Sequence, residues 1–557
     1  MTEEVLIEIS LIIGIAAITS IIARAIKQPP IIAYLISGIL VSPLVFGIIK
    51  SDSLIQIFAH LGVALLLFIV GLSLDYRVLK DIGGVAVFSG IGEIIVTGII
   101  GFFIAIGLGL SYTPALYLAA ALAFSSTIVV VKILSDKKET DTLHGRIAIG
   151  ILIVEDFIAA LVLMILPVIE TGTYATILAE LGKIALLIIA ILAISALSFK
   201  KLTHYLAKSQ EVLFLFGIGW ALTIAALFNY LGFSLEIGAL IAGMSLASTK
   251  YTIELSSKIK PLRDFFIVLF FVFFGSQLTT ISNPELIKQA VIFSVFILIG
   301  KPIIIMSFMK IAGYKKRTNF LTGASIAQIS EFSLILILLG FTLGHISQDL
   351  MSLAILIALI TIGISSYSIY YAHGLFDKLS GILSIFDGHK YNKEIKIVSN
   401  YDIIVFGGHR IGSMVVNTLK KMKLRFIVID YNPKVILDLT KKGVDCVYGD
   451  ASDKELIEDL KLDKAKLVIS TIPELDANTL IKYRLNEANS KAIFIATADY
   501  LNEAVDLYEN GADYVIIPHL LGGEYASKML EQNKTNPEKY KKEREGHISQ
   551  LKKLFLY

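Results

Sequence analysis

Gly150-Ile-Leu-Ile-Val-Glu155-Asp156-Phe-Ile-Ala-Ala-Leu-Val-Leu-Met164 sets two adjacent carboxylates inside a run otherwise apolar enough to span a bilayer. On insertion scales a charge at mid-membrane costs about 2.5–3.5 kcal/mol, so such acids persist where they face a cavity, a partner or a substrate. Successive residues of a helix point about 100° apart, so Glu155 and Asp156 cannot share every neighbour. A carboxyl held in low dielectric beside a second acid can trade a proton for a cation near the working pH. The stretch therefore reads as the ion-binding site of a secondary transporter, not as the centre of an enzyme.

The surrounding composition agrees. Of 557 residues, 55% are hydrophobic and only 17% charged, and mean hydropathy is +0.75, outside the usual soluble range. Residues 1–373 are mostly long apolar runs, whereas 390–557 are rich in Lys, Glu and Asp. That contrast divides the chain into a transmembrane domain (1–373), a linker (374–400), a soluble domain (401–525) and a charged tail (526–557). No basic-aromatic patch accompanies the net charge of +3, so nucleic acid is not an expected partner. The single cysteine, Cys446, rules out an intramolecular disulfide and a cysteine-built metal site, and no tightly bound transition metal is expected. The acidic start, Met1-Thr2-Glu3-Glu4, lacks the basic region of a cleaved signal peptide, so the first apolar run is expected to be a permanent helix.

About thirteen apolar segments of spanning length lie between residues 5 and 373. Lys and Arg gather in alternate loops: Arg24 and Lys27, Arg77 and Lys80, Lys137 to Arg146, Lys200 to Lys208, Lys250 to Arg263, and Lys315 to Arg317. The positive-inside rule then places the N-terminus outside and the C-terminal domain in the cytoplasm, as an odd segment count also requires. The membrane half repeats itself. Gln28 to Leu40 parallels Gly232 to Gly243, and Leu65 to Asp75 parallels Leu269 to Thr279, at an offset near 200 residues. Six segments, a connector and six more would put the copies in opposite topology, although apolar helices also resemble one another by chance.

In inverted-repeat transporters the site lies where discontinuous helices of both halves meet. The fifth segment carries the polar break Phe124-Ser125-Ser126-Thr127, and its counterpart, the twelfth, carries Ser325-Ile-Ala-Gln328-Ile-Ser330-Glu331. Hydroxyls and freed carbonyls there could coordinate a cation; the alternative is that Ser and Thr merely bond back to their own helix. Lys301, in Ile299-Gly-Lys-Pro-Ile303 of the eleventh segment, is an intramembrane cation whose expected partner is Glu155. Glu93, in the fourth, is open between a supporting acid and a merely satisfied one. Lys132 is expected to snorkel, and His60, His345 and Glu236 to be solvated near the outer face.

With these residues in view, the membrane half resembles the Kef-type branch of the cation:proton antiporters. The likeness rests on Leu61-Gly-Val-Ala-Leu-Leu-Leu-Phe-Ile-Val-Gly-Leu-Ser-Leu-Asp75, Ser125-Ser-Thr-Ile-Val-Val-Val-Lys132 and Ala327-Gln-Ile-Ser-Glu-Phe332. The resemblance implies a polytopic α-helical protein of the NhaA-like antiporter fold. It further implies a homodimer held by segments 1–3 and 8–10, with 4–6 and 11–13 as the moving core. Asp156 would be the essential carboxylate, loaded in turn with a monovalent cation, K⁺ or Na⁺, and with protons. Lys301 would be the core lysine of many relatives. Glu155 departs from the pattern, because potassium-efflux members usually carry Gln before the essential Asp.

From about 401 the periodicity changes to short β runs alternating with helices, at Ile403–Phe406, Phe426–Asp430, Leu467–Ser470, Ala492–Ile495 and Tyr514–Ile517, a parallel α/β sheet. Gly407-Gly408-His409-Arg410-Ile411-Gly412 follows the first run, and Asp430 ends the second. That is a dinucleotide-binding layout in which His409 replaces the glycine that lets backbone approach a pyrophosphate. The region resembles the N-terminal RCK (TrkA-N) domain, supported by Gly449-Asp450-Ala451 and Gly511-Ala-Asp-Tyr-Val-Ile-Ile-Pro518. The resemblance implies a regulatory nucleotide, NAD(H), AMP or ATP/ADP, held by Gly407, Gly412, Asp430 and Asp450, and dimerisation through the soluble domains. An empty, purely structural Rossmann domain is the alternative. Two rival functions lack their signatures: no Thr-Val-Gly-Tyr-Gly-like filter supports a nucleotide-gated channel, and no haem, iron–sulfur or flavin motif supports an oxidoreductase.

Overall fold

The computed structural model describes the chain outside residues 1, 49–51, 74–83, 138, 141, 170–181, 184–185, 192, 196–208, 232, 234, 248, 250–251, 279–282, 389–400, 410, 431–432, 450, 452–456, 458–459, 461, 489 and 556–557. It separates into two compact units, residues 1–390 and 391–557.

Among the described residues, the regular structure of the first unit is helical. Six helices pack on one another: α1 (Thr2–Ala25), α2 (Pro30–Val41), α3 (Asp52–Ser73), α8 (Gln210–Tyr230), α9 (Leu235–Leu246) and α10 (Thr252–Ser276). A second set surrounds the acids: α4 (Gly84–Gly107), α5 (Tyr112–Ala123), α6 (Thr127–Asp136), α7 (Leu143–Ile169), α11 (Pro284–Val295), α12 (Lys301–Ala312), α13 (Lys316–Ser325), α14 (Glu331–Thr342) and α15 (Gln348–Tyr370). Among the described residues, six helical stretches are long and apolar enough to cross a bilayer by length and composition, and there are shorter apolar helices besides. Half of the seventh expected segment, residues 178–199, falls outside the described residues.

The internal repeat is visible in the packing. α2 lies on α10, and its repeat counterpart α9 lies on α3, the counterpart of α10. Glycines make both contacts possible. A Cβ on Gly38 would overlap the Val272 carbonyl oxygen, and one on Gly275 that of Leu35. In the other pair, Gly71 meets Leu240 and Gly243 meets Phe68 in the same way. Small residues of this kind let helix backbones approach where lipid offers no hydrophobic driving force.

Two boundaries of the first unit differ from expectation. Lys258, Lys260 and Arg263, expected in a loop, lie inside α10, which runs from Thr252 through Pro261. Hydropathy delimits the apolar stretch; Lys and Glu are good helix formers and carry the helix beyond it. Residues 374–388, expected as linker, fold against the first unit as α16 (Ala372–Leu379) and a 3₁₀ turn (Ile382–Phe386). Asn319 Nδ2 donates to the carbonyls of Tyr314 (2.9 Å) and Phe386 (2.8 Å), and the Lys316 amide donates to Asp387 (3.1 Å).

The second unit is a six-stranded parallel sheet in the order β3-β2-β1-β4-β5-β6. Its strands are β1 (Ile403–Phe406), β2 (Phe426–Asp430), β3 (Cys446–Tyr448), β4 (Leu467–Ser470), β5 (Ile493–Thr497) and β6 (Tyr514–Ile516). β1 sits centrally, Ile403 facing Phe426 on one side and Leu467 on the other. Sequence reading missed β3, a three-residue edge strand too short to show a pattern. Helix α17 (Ile411–Lys421) follows β1, and α18 (Pro433–Lys441) precedes β3. α19 (Leu475–Glu487) and α20 (Leu501–Glu509) continue the alternation. α21 (Pro518–Asn533) crosses the expected boundary at 525, and the charged tail continues as α22 (Pro537–Phe555).

Gly71→Val forces a side chain into the Leu240 backbone, an overpacking cost of about 1–3 kcal/mol. It should lower the melting temperature of the purified protein by several degrees. Gly98→Val, with open space around its Cβ, should leave it unchanged in the same assay.

Candidate ion-binding site

Two chain breaks cross at the centre of the second helix set. α5 stops at Ala123; Phe124 is extended (φ −95°, ψ 143°), and α6 restarts at Thr127 with the Ser126 hydroxyl capping Val129 N. α13 stops at Ser325, and α14 restarts at Glu331, with Ser330 as N-cap accepting from Phe332 N and Ser333 accepting from Ser330 N. Side chains of each break serve the other. Ser125 Oγ donates to the Ile326 carbonyl (3.0 Å), Ser126 Oγ to Glu331 Oε2 (2.9 Å), and Ser333 Oγ to the Ala121 carbonyl. The hydroxyls of Ser125 and Ser126 thus donate across the crossing, while Ser126 Oγ also accepts from its own helix at Val129 N.

A broken helix exposes two dipole ends, and each meets a complementary group. At the C-terminal ends, Lys301 Nζ donates to the Ala123 carbonyl (2.8 Å) and Gln328 Nε2 to the Ser325 carbonyl (3.3 Å). At the N-terminal ends lie acids: Glu331 begins α14, and Thr127 Oγ1, at the start of α6, donates to Asp156 Oδ2 (2.9 Å). Glu155, one residue from Asp156 on α7, turns elsewhere and accepts the Ser125 amide (2.6 Å). Ser125, Ser126, Glu155, Lys301, Gln328 and Glu331 are buried, whereas Asp156 and Thr127 keep partial exposure. Asp156 is therefore the least buried acid of the cluster.

Lys301 does not pair with Glu155 as expected. Its ammonium lies 3.5 Å from Glu93 Oε1, both side chains fully buried. Helix α4 lies against α7 at Gly90 and against α12 at Gly92, which brings Glu93 between the two. Sequence could flag Glu93 as an intramembrane acid but not choose its partner. Lys301 follows a π-helical turn, Phe296–Gly300, and precedes Pro302. The wider turn accommodates a ring that cannot donate and would crowd the Leu298 carbonyl.

Of the other titratable residues, Lys132 is exposed and paired with Asp136 (2.8 Å). Glu236, expected to be solvated, is buried and meets His60 Nδ1 at 3.2 Å, and His345 Nδ1 meets the Tyr117 hydroxyl at 2.8 Å. Glu139, His144 and His373 place ligand atoms close enough together for a metal ion. Those atoms already bond one another and a cation: His373 Nε2 and Lys137 Nζ lie 3.0 and 2.8 Å from Glu139 Oε1, His144 Nε2 lies 3.2 Å from Glu139 Oε2, and Arg317 Nη2 holds the other His373 nitrogen, Nδ1, at 3.0 Å. The cluster is a hydrogen-bonded ion-pair node that ties the α6–α7 loop to α13 and α16. Burial pushes the Glu139 carboxyl up, but bonds from His144, His373 and Lys137 outweigh it and hold the group well below its ordinary 4.5.

In the second unit, Gly407 adopts φ +87°, and its carbonyl lies where a Cβ on Gly412 would sit. The Gly408 amide donates to Asp430 Oδ2 (2.7 Å), so the turn and the acid at the end of β2 are joined. His409 is exposed at the turn. Arg410 and Asp450 lie outside the described residues.

Comparison with known proteins agrees with both units. The family profile "Sodium/hydrogen exchanger, transmembrane" matches residues 11–370, and that of the TrkA-N domain matches 403–518. The chain is 29% identical to the Escherichia coli K12 protein named "Putative cation/proton antiporter YbaL", over 94% of this chain and 96% of the relative. It is 30% identical to K(+) efflux antiporter 5 of Arabidopsis thaliana, over 63% of each chain. Identity is 24% to the glutathione-regulated potassium-efflux system protein KefC of Klebsiella aerogenes, over 92% of this chain and 82% of that one.

A carboxyl held low stabilises the fold above its unfolded value and loses that contribution as pH falls. Glu139→Gln should therefore lower the melting temperature at pH 7, and the gap from the unaltered protein should narrow as pH drops below 4.5.

Proposed function

The chain belongs to the sodium/hydrogen exchanger family, and from that footing we propose that it exchanges K⁺ or Na⁺ for protons across the cell membrane, with Asp156 as the residue both ions load. The observation that carries the reading is the partial exposure of Asp156 beside Thr127, among acids that are otherwise buried. A cation entering the crossing finds that carboxylate, the Thr127 hydroxyl and the buried Ser126–Glu331 pair. A proton arriving at the same carboxylate displaces it. Because one group cannot hold both, opposite movements are coupled by competition, and alternating access completes the cycle.

The two helix sets support the moving parts. α4–α7 and α11–α15 carry every group of the site and move as the core, while α1–α3 and α8–α10 form the scaffold through which two copies associate. The Lys- and Arg-rich loops put the N-terminus outside and the C-terminal unit in the cytoplasm. Relatives named as potassium-efflux antiporters favour K⁺; the paired acids Glu155 and Asp156 keep Na⁺ in view. The TrkA-N unit serves as the regulator, with the turn Gly407–Gly412 and Asp430 receiving a nucleotide. His409, standing where the approach glycine belongs, favours a ligand without a closely held pyrophosphate.

In proteoliposomes, pulses of K⁺ or Na⁺ should release protons with saturable dependence on the cation. Asp156→Asn should reduce that release to the protein-free background while leaving the melting temperature within a few degrees; undiminished flux in the variant overturns the mechanism. For the regulatory unit, AMP, ADP, ATP and NADH should be compared by thermal shift. Gly412→Ala, which drives a Cβ into the Gly407 carbonyl, should abolish any shift found.

A further inference from the structure

Lys301 is the buried cation of the core, and where its charge is matched decides what an exchange cycle carries. Its ammonium donates to the Ala123 carbonyl at 2.8 Å and lies 3.5 Å from Glu93 Oε1. Thr97, one turn further along α4, donates to the same Glu93 oxygen at 2.7 Å and fixes that side chain. Glu155 spends one oxygen on the Ser125 amide and Asp156 one on the Thr127 hydroxyl. Among the described residues, the ion pair of Lys301 is with Glu93, on a helix that carries none of the cation's expected ligands.

We propose that Glu93 is a positioning residue that holds the Lys301 ammonium at the end of α5 and away from Asp156, so that one monovalent cation is traded for one proton with no net charge moved. The inference rests on the antiporter reading of Asp156. A lysine that paired with Asp156 when the cation left would have to release and regain its own charge in each cycle, and the exchange would then respond to voltage. With Lys301 matched by Glu93 in every state, and with the buried Glu155 and Glu331 keeping their own protonation through the cycle, Asp156 is the one carboxylate whose occupant changes. Truncating one member of such a buried pair leaves the other uncompensated, so loss of Glu93 frees Lys301 to seek the remaining acids.

The test is the null point of exchange in proteoliposomes: the cation ratio at which proton flux vanishes for a fixed pH difference. In the unaltered protein that ratio should equal the proton ratio and stay there when the membrane potential is stepped. Movement of one net charge would shift it about 50-fold for about 100 mV, equivalent to about 2.3 kcal/mol per charge. A voltage-dependent null point in the unaltered protein overturns the proposal and requires no variant to fold. Glu93→Gln should make the null point voltage-dependent, and Glu93→Asp should restore its indifference; a Glu93→Gln protein that still exchanges silently also overturns it. Asp156→Asn run alongside separates the two readings: if that control keeps cation-driven proton flux, the antiporter site itself is misassigned.

Discussion

The membrane unit is built around a backbone problem. Two helices stop and restart inside the protein, at Ala123/Thr127 and Ser325/Glu331, and the freed amides and carbonyls of their ends cannot turn to water or lipid. They are satisfied by each other and by a few side chains. Serines 125, 126 and 333 stitch one break to the other, Lys301 and Gln328 cap the carbonyl ends, and carboxylates lie at the amide ends. The charges at the centre are thus part of what closes the fold. That explains how costly groups persist there. The closure leaves one acid of the cluster partly exposed, Asp156.

The scaffold set answers a different constraint. α2, α3, α9 and α10 meet backbone to backbone through Gly38, Gly71, Gly243 and Gly275, and the repeat swaps the pairs. Such contacts are close and leave no room for side-chain repacking. The core set, by contrast, is held together by hydrogen bonds around the crossing.

Much of this was legible in the sequence because membrane interiors make polar residues conspicuous. Glu155 and Asp156, the Ser125–Thr127 break and the Ser325–Glu331 break stand out in apolar runs, and the structure brings them together. The partner of Lys301 was not legible: Glu155 was expected and Glu93 left open, and the choice is made by how α4 packs between α7 and α12. Glu236 failed for a similar reason, since its burial comes from a contact with His60 far away in sequence. The start of α10 was misplaced because a helix need not end where its apolar stretch ends, and β3 was missed because three residues at a sheet edge show no period. In the second unit the strand–turn–helix order, Gly407, Gly412 and Asp430 were readable, because a positive φ and a close carbonyl leave few residue choices.

The most direct test of the account is uptake of labelled Rb⁺ or Na⁺ by proteoliposomes under an imposed pH gradient, with cation concentrations initially equal on both sides. Competition at one carboxylate predicts accumulation against the cation's own gradient, reversing direction when the pH gradient is reversed and stopping when it is collapsed with ammonium. Cation movement that only relaxes its own gradient, indifferent to the pH difference, would contradict an exchanger and leave a passive pathway in its place.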